Sequence, residues 1–285
     1  MWGGIFACKL SLMITKLSRR IILILSVLAL SSNTCVGAGI KHGVPQKAGY
    51  GFAGAFKELS SGYSRAAVLS VPIPSVADKD SRGGGSGHYL ELSELDLSPV
   101  PAAPAAGSAQ DRADMKTLFD WQDRRTDEQC EQAGAEMKHS YDVLFGRISP
   151  FVSPQPKSVA RFFKNAAEDS VAAHKYLKGV YQRPRPFLRD SRLSPCIARV
   201  DGFSYPSGHA TMARLFALIL SDLVPARRAE FMARADEAAL NRVISGVHHP
   251  TDIAAGKTLA EVLYKELLRQ PSFKDDMGAL RAYLH

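Results

Sequence analysis

The chain has 285 residues, of which 46% are apolar and 22% charged, enough hydrophobic material for one large domain or two small ones. Its formal net charge is +8, but Lys9, Lys16, Arg19 and Arg20 lie in the first 38 residues, which hold no acid, so residues 39–285 carry only +4. These residues contain no dense Lys/Arg block, which argues against a nucleic-acid partner or a membrane-surface role and leaves an anionic small molecule compatible.

In chain order, the first feature is a run from Ile21 to Leu30 that is apolar except for Ser26, with Lys16, Arg19 and Arg20 before it and Val36-Gly37-Ala38 after it. That is the layout of a secretory signal with cleavage after Ala38, and Met13 would begin a leader of more ordinary length. A membrane anchor needs about 20 apolar residues, roughly twice this core, so the expectation is an exported protein, periplasmic or secreted, without stable membrane insertion. Cys8 and Cys35 fall in the leader. Cys130 and Cys196 remain, either joined, as export allows, or two separate buried thiols.

Residues 39–110 are rich in Gly, Ser, Ala and Pro, most plainly in Gly83-Gly84-Gly85-Ser86-Gly87 and from Pro99 to Ala106. Such composition buries too little apolar surface to offset its ordering entropy and reads as a mobile or loosely packed arm. From Asp111 onward the texture is helical, interrupted by prolines, with few period-two runs. The periodicity predicts helices over Asp127–Ile148, Lys157–Tyr181, Gly208–Leu223, Ala226–Ser245 and Pro250–Arg269. Five helices imply a single all-α, helical-bundle domain over residues 111–285.

Three segments of that domain hold the chemistry: Lys178, six residues, then Arg185-Pro186; Pro206-Ser207-Gly208-His209; and Arg242, five residues, His248, three residues, Asp252. Lys178 closes a predicted helix, and Arg183-Pro184-Arg185-Pro186 is a proline-stiffened stretch that can hold an arginine fork. Taken alone, a helix-terminal lysine and surface arginines explain the same residues. Ser207 falls at a helix N-cap, with free N–H groups pointing outward as in an anion site, although a plain turn accounts for everything but His209. Phe231, Ala235, Ala238 and Arg242 recur at helical spacing, so Arg242 faces inward and needs an anionic partner. Asp252, four residues after His248, can reach its Nδ1–H and leave Nε2 free as nucleophile or base, or it can simply be an acid at a helix start. His249 lacks such a partner and reads as a bystander.

A metal site is the chief rival for His209, His248 and Asp252. Lys178, Arg185 and Arg242 oppose it if they converge. At an effective dielectric near 20, unit charges about 4 Å apart interact by roughly 4 kcal/mol, which repels a divalent cation and welcomes a phosphate carrying about two negative charges.

As an ordered set, the three segments resemble the signature of the type 2 phosphatidic acid phosphatase superfamily. Within it, Arg183-Pro184-Arg185-Pro186-Phe187 and the stretch from Asn241 to Asp252 are most similar to the class A bacterial nonspecific acid phosphatases, over roughly Leu90 to Tyr283. The resemblance implies a fold of the acid phosphatase and vanadium haloperoxidase type, small phosphomonoester substrates, no cofactor or metal, and a homodimer. It further implies that His248 is a nucleophile oriented by Asp252, that a protonated His209 is the leaving-group acid, and that Lys178, Arg185, Ser207, Gly208 and Arg242 hold the phosphate. Neutral His248 with protonated His209 would give a bell-shaped pH profile. One departure is Asn241, where the family usually has serine; an amide there can still bond a neighbour. Three other readings stay open: a vanadium-dependent haloperoxidase; a membrane lipid phosphatase, which lacks its long apolar spans here; and a catalytically silent phosphate-binding module, which would not need the intact His209, His248 and Asp252.

Overall fold

The computed structural model describes residues 87–285, so the predicted leader over 1–38 and residues 39–86 of the predicted arm lie outside the described residues. Among the described residues there is no strand, only an isolated bridge between Phe151 and Leu284. The expected all-α architecture is what they form.

Helix α1 (Ala109–Arg124) opens on Ser108, whose hydroxyl accepts the Asp111 N–H. Its inward face is Asp111, Asp114, Leu118 and Trp121, a helical spacing in which two of the four residues are acids. An apolar-periodicity test therefore passes over it. Helix α2 (Asp127–Ala135) starts from a capping box in which Thr126 and Gln129 satisfy each other's main-chain N–H groups. The single helix predicted over Asp127–Ile148 is broken after Ala135, and Ser140 re-caps the chain for α3 (Tyr141–Phe145), which runs into a 3-10 turn at Gly146–Ile148.

Helix α4 (Lys157–Tyr181) has the predicted bounds and stops where Gln182 turns left-handed at φ 46°. The short α5 (Pro186–Arg189) follows the proline-stiffened stretch. Helix α6 (Gly208–Leu223) also has its predicted bounds and is buried almost all round, packed by α4, by α7 (Arg228–Ile244) and by α8 (Pro250–Leu267). The final helix α9 (Pro271–Ala279) was not anticipated; only Phe273 is buried, too little for a periodic signal.

Part of the arm predicted over residues 39–110 packs against the helices. Leu90, Leu92, Leu97 and Val100 are buried in the same core as α4, α6 and α8. Asp169 on α4 accepts the main-chain N–H groups of Tyr89 and Leu90 at 3.0 Å each, and the Tyr89 hydroxyl donates to Asp276 at 2.7 Å. Averaging composition over 39–110 hid four apolar anchors among the small residues. Cys130 and Cys196 are joined in a disulfide that ties α2 to the chain before α6. Among the described residues no helix is long and apolar enough to cross a membrane.

One glycine sets the depth of the helix packing. A Cβ on Gly256 of α8 would lie 2.6 Å from the Ser207 carbonyl oxygen and 3.2 Å from the Thr211 nitrogen, both backbone atoms of the α6 start. Gly256→Ala is expected to lower stability by about 1–3 kcal/mol, the range for overpacking a tight contact. A wild-type melting temperature would show that the contact relaxes freely.

Candidate active site

The ends of three helices meet here. Helix α7 terminates at Gly246, left-handed at φ 78°, and the turn brings the N–H groups of Val247 and His248 onto the Arg242 carbonyl at 3.1 and 3.2 Å. Pro250 then starts α8, placing Asp252 in its first turn. The Ser207 N–H donates to the Asp252 carbonyl at 3.0 Å, locking the α6 start against the α8 start, while the Ser207 hydroxyl caps α6 at Ala210. At Gly208 a Cβ would fall 2.9 Å from the ring of His174, so only glycine fits beneath that imidazole.

Asp252 is fully enclosed. Its Oδ1 accepts from Arg183 at 2.7 Å, and its Oδ2 accepts from the Ser204 hydroxyl, the His249 N–H at 2.8 Å, His249 Nδ1 at 3.0 Å and His248 Nδ1 at 3.3 Å. Burial alone would raise its pKa, but His249, His248 and Arg183 outweigh it and hold the carboxyl well below its usual range. At the other ring nitrogen of His248, Arg185 Nη1 lies 3.2 Å from Nε2. A guanidinium only donates, so Nε2 carries the lone pair and Nδ1 the proton. Burial, helped by Arg185 and Lys178 against the bond to Asp252, pushes the His248 pKa down to about 3 and keeps the ring neutral.

Arg185 lies close enough to both Lys178 and Arg242 to lower their pKa values. Three consecutive carbonyls seat two of these cations: Asp201 and Gly202 accept from Arg185 Nη2 and Nε, each at 3.1 Å, and Phe203 accepts from Lys178 Nζ. Arg242 is 1% exposed; Nη2 donates to the Ala133 carbonyl, whereas Nε and Nη1 have no hydrogen-bond partner among the described residues. Among the described residues no carboxylate forms an ion pair with Arg242. Burial and the other cations lower the pKa of Lys178 to about 7 and that of Arg242 to about 10. Such a cluster of buried positive charge with idle donors is matched by a tetrahedral anion.

His209 sits against His139, ring centroids 4.5 Å apart, and its Nε2 donates to the Glu136 carbonyl at 3.0 Å. Burial, then Arg242, His139 and His248, press its pKa well below the ordinary value. The free site therefore holds His209 neutral, where the sequence reading expected it protonated; burial is the main cause and Arg242 adds to it.

Several residues escaped the sequence. His249, read as a bystander, gives Nδ1–H to Asp252 and receives Arg189 Nη1 at Nε2, 3.0 Å away. Arg183, read as part of a stiff stretch, is buried between Asp111, Asp114 and Asp252 at 2.9, 2.8 and 2.7 Å. The inward acids of α1 are the only sequence trace of that network. Asn241 does bond a neighbour, giving Nδ2–H to Glu136 Oε2 at 2.9 Å. Among the described residues no group of three or more His, Cys, Asp or Glu side chains is arranged to hold a metal ion.

Comparison with known proteins bears on this geometry. Residues 166–275 match the PAP2 superfamily. A non-specific acid phosphatase of Salmonella typhi is 36% identical over 114 residues, 38% of this chain, and the match spans 45% of that relative. A non-specific acid phosphatase of Providencia stuartii is 25% identical over 205 residues, 67% of this chain and 82% of its own length. Among solved structures, the first bacterial vanadium-dependent iodoperoxidase overlays 72% of this chain and 63% of its own with a TM-score of 0.48 at 16% identity.

Proposed function

We propose that the chain, whose residues 166–275 match the PAP2 superfamily, is an exported, metal-independent acid phosphatase of broad range that hydrolyses phosphate monoesters through a phosphohistidine at His248. The observation that carries this reading is the state of His248: Nδ1–H is given to Asp252 and Nε2 keeps its lone pair beside Arg185. That is an oriented neutral nucleophile next to a cation able to grip a nonbridging oxygen.

In the first step the Nε2 lone pair forms a bond to phosphorus, the bond to the ester oxygen breaks, and that oxygen takes a proton from His209. Nε2 of His209 is engaged by Glu136, so Nδ1 is the nitrogen that exchanges the proton. Lys178, Arg185, Arg242, the Ser207 hydroxyl and the Gly208 N–H bind the nonbridging oxygens as charge grows on them. Water then attacks phosphorus, gives its proton to His209, and returns the N–P bonding pair to Nε2; an alcohol in place of water gives phosphate transfer. The anion's charge favours a proton on His209, offsetting Arg242 and part of the effect of burial. The disulfide is consistent with life outside a reducing compartment.

The acid preference has a physical source in Lys178. With a pKa of about 7 in the free site, it is charged below that pH and neutral above it, so kcat/KM is expected to fall as pH rises through 7. Bound anion stabilises the ammonium, so kcat should fall later. The test is p-nitrophenyl phosphate hydrolysis in excess chelator from acid to alkaline pH, wild type beside Lys178→Arg, whose guanidinium stays charged. The variant should carry its alkaline limb to higher pH. An unmoved limb would assign it to another group, and absent or chelator-sensitive hydrolysis would overturn the reading.

A further inference from the structure

The last turn of α2 contributes to the site without touching the position of the substrate. Its residue Glu136 is buried, with its main-chain carbonyl on His209 Nε2 and its carboxylate clamped on both oxygens: Oε2 by Asn241 Nδ2 at 2.9 Å and Oε1 by Arg234 Nη2. Arg234 and Asn241 lie on α7, seven residues and so two turns apart, on the face adjoining Arg242. Arg242, on the same helix, donates in the same sense to the Ala133 carbonyl of this turn. With Gln132 Nε2 donating to Glu237, the turn is stitched to α7 by four bonds, and a shift of it would displace the acceptors of His209 and Arg242 together.

We propose that Glu136 is a positioning residue for proton transfer to the leaving group, its clamped carboxylate fixing the carbonyl that orients His209 and facing the charge of Arg242. The inference deepens the phosphatase reading and rests on His209 acting as the acid. It also accounts for Asn241: the amide spans to Glu136, which the shorter side chain of serine would not.

The consequence depends on the ester. p-Nitrophenolate departs without a proton, whereas the alkoxide of glycerol 2-phosphate needs one, so displacement of the acid falls on the alkyl ester. In Glu136→Gln the charge and one clamp are lost while the main-chain carbonyl remains. Its kcat/KM, which reports the transfer to His248, should drop at least about tenfold on glycerol 2-phosphate, a part of the 10²–10⁴ that acid catalysis supplies, and by less than about threefold on p-nitrophenyl phosphate. Asn241→Ser, a milder change should Glu136→Gln fold poorly, should shift the ratio of the two esters in the same direction by less. Equal losses on both esters, or none, would reduce Glu136 to a structural role and overturn the proposal. If wild type hydrolyses neither ester, the phosphatase reading itself falls, and placement is read from ¹⁵N-histidine NMR of the full chain. A His209 Nε2–H tautomer present in wild type and lost in Glu136→Gln supports the assignment, and an unchanged tautomer overturns it.

Discussion

His248→Ala is expected to lower kcat/KM for an aryl phosphate by a factor on the order of 10⁴ or more, the scale on which enzymes lose activity with their nucleophile. The fold should survive. Asp252 keeps Arg183, Ser204 and both His249 donors when the His248 ring is removed, so no buried charge is stranded. Arg185 likewise keeps the carbonyls of Asp201, Gly202 and Val247. The variant should therefore still bind inorganic phosphate while failing to turn over, and exogenous imidazole should restore part of the rate by filling the vacated space. Quenching wild type at alkaline pH during turnover and mapping the phosphorylated peptide should find the label on His248. A variant with near-normal turnover, or a label elsewhere, would end the phosphohistidine scheme.

Arg183→Met is expected to destabilise the protein by about 3–5 kcal/mol at neutral pH, the range for breaking a buried ion pair by removing one partner. Here one guanidinium serves three enclosed carboxylates, those of Asp111, Asp114 and Asp252. Asp111 keeps Arg189, but Asp252 loses its only contact at Oδ1 among the described residues. The sign of the pH dependence follows from the depressed carboxyls. Asp111 is held at about 2, where Arg189, the Gly107 N–H and Arg183 outweigh burial, and Asp252 also lies well below its ordinary value. In wild type their stabilisation is complete above the unfolded carboxyl pKa of about 4 and is lost as pH falls through the folded values. Without Arg183 burial dominates and the folded values rise, so the penalty should be largest near neutrality and shrink toward pH 4. Urea unfolding at both pH values measures it; a penalty independent of pH would mean that lost packing, not stranded charge, is responsible.

What the sequence could disclose depended on how local the cause was. The starts of α6 and α8 were legible because Pro206-Ser207-Gly208 and Gly246 with Pro250 are helix punctuation written within a few residues. Their cargo, His209, His248, Asp252 and Arg242, came with them. Glu136 was not legible, since its partners Arg234 and Asn241 lie 98 and 105 residues away and a lone acid at the end of a helix has no distinguishing pattern. Arg183 and His249 failed for the same reason: each is defined by carboxylates brought in by α1, or by a shared oxygen of Asp252, and α1 itself disguises its buried face with aspartates. The break after Ala135 went unseen because the apolar spacing continues through it; Ser140 announces the new helix only once the turn is known.

The seats of the cations are carbonyl oxygens of Asp201, Gly202, Phe203, Val247 and Ala133, atoms that every amino acid possesses. No side-chain replacement deletes such an acceptor, so the placement of these cations is insulated from sequence drift in the segments that seat them, provided the path of the backbone is kept. Side chains on those same loops, such as the half-exposed Phe203, can vary while the carbonyls stay in place. Fixed seats and variable side chains around them are thus two results of one construction.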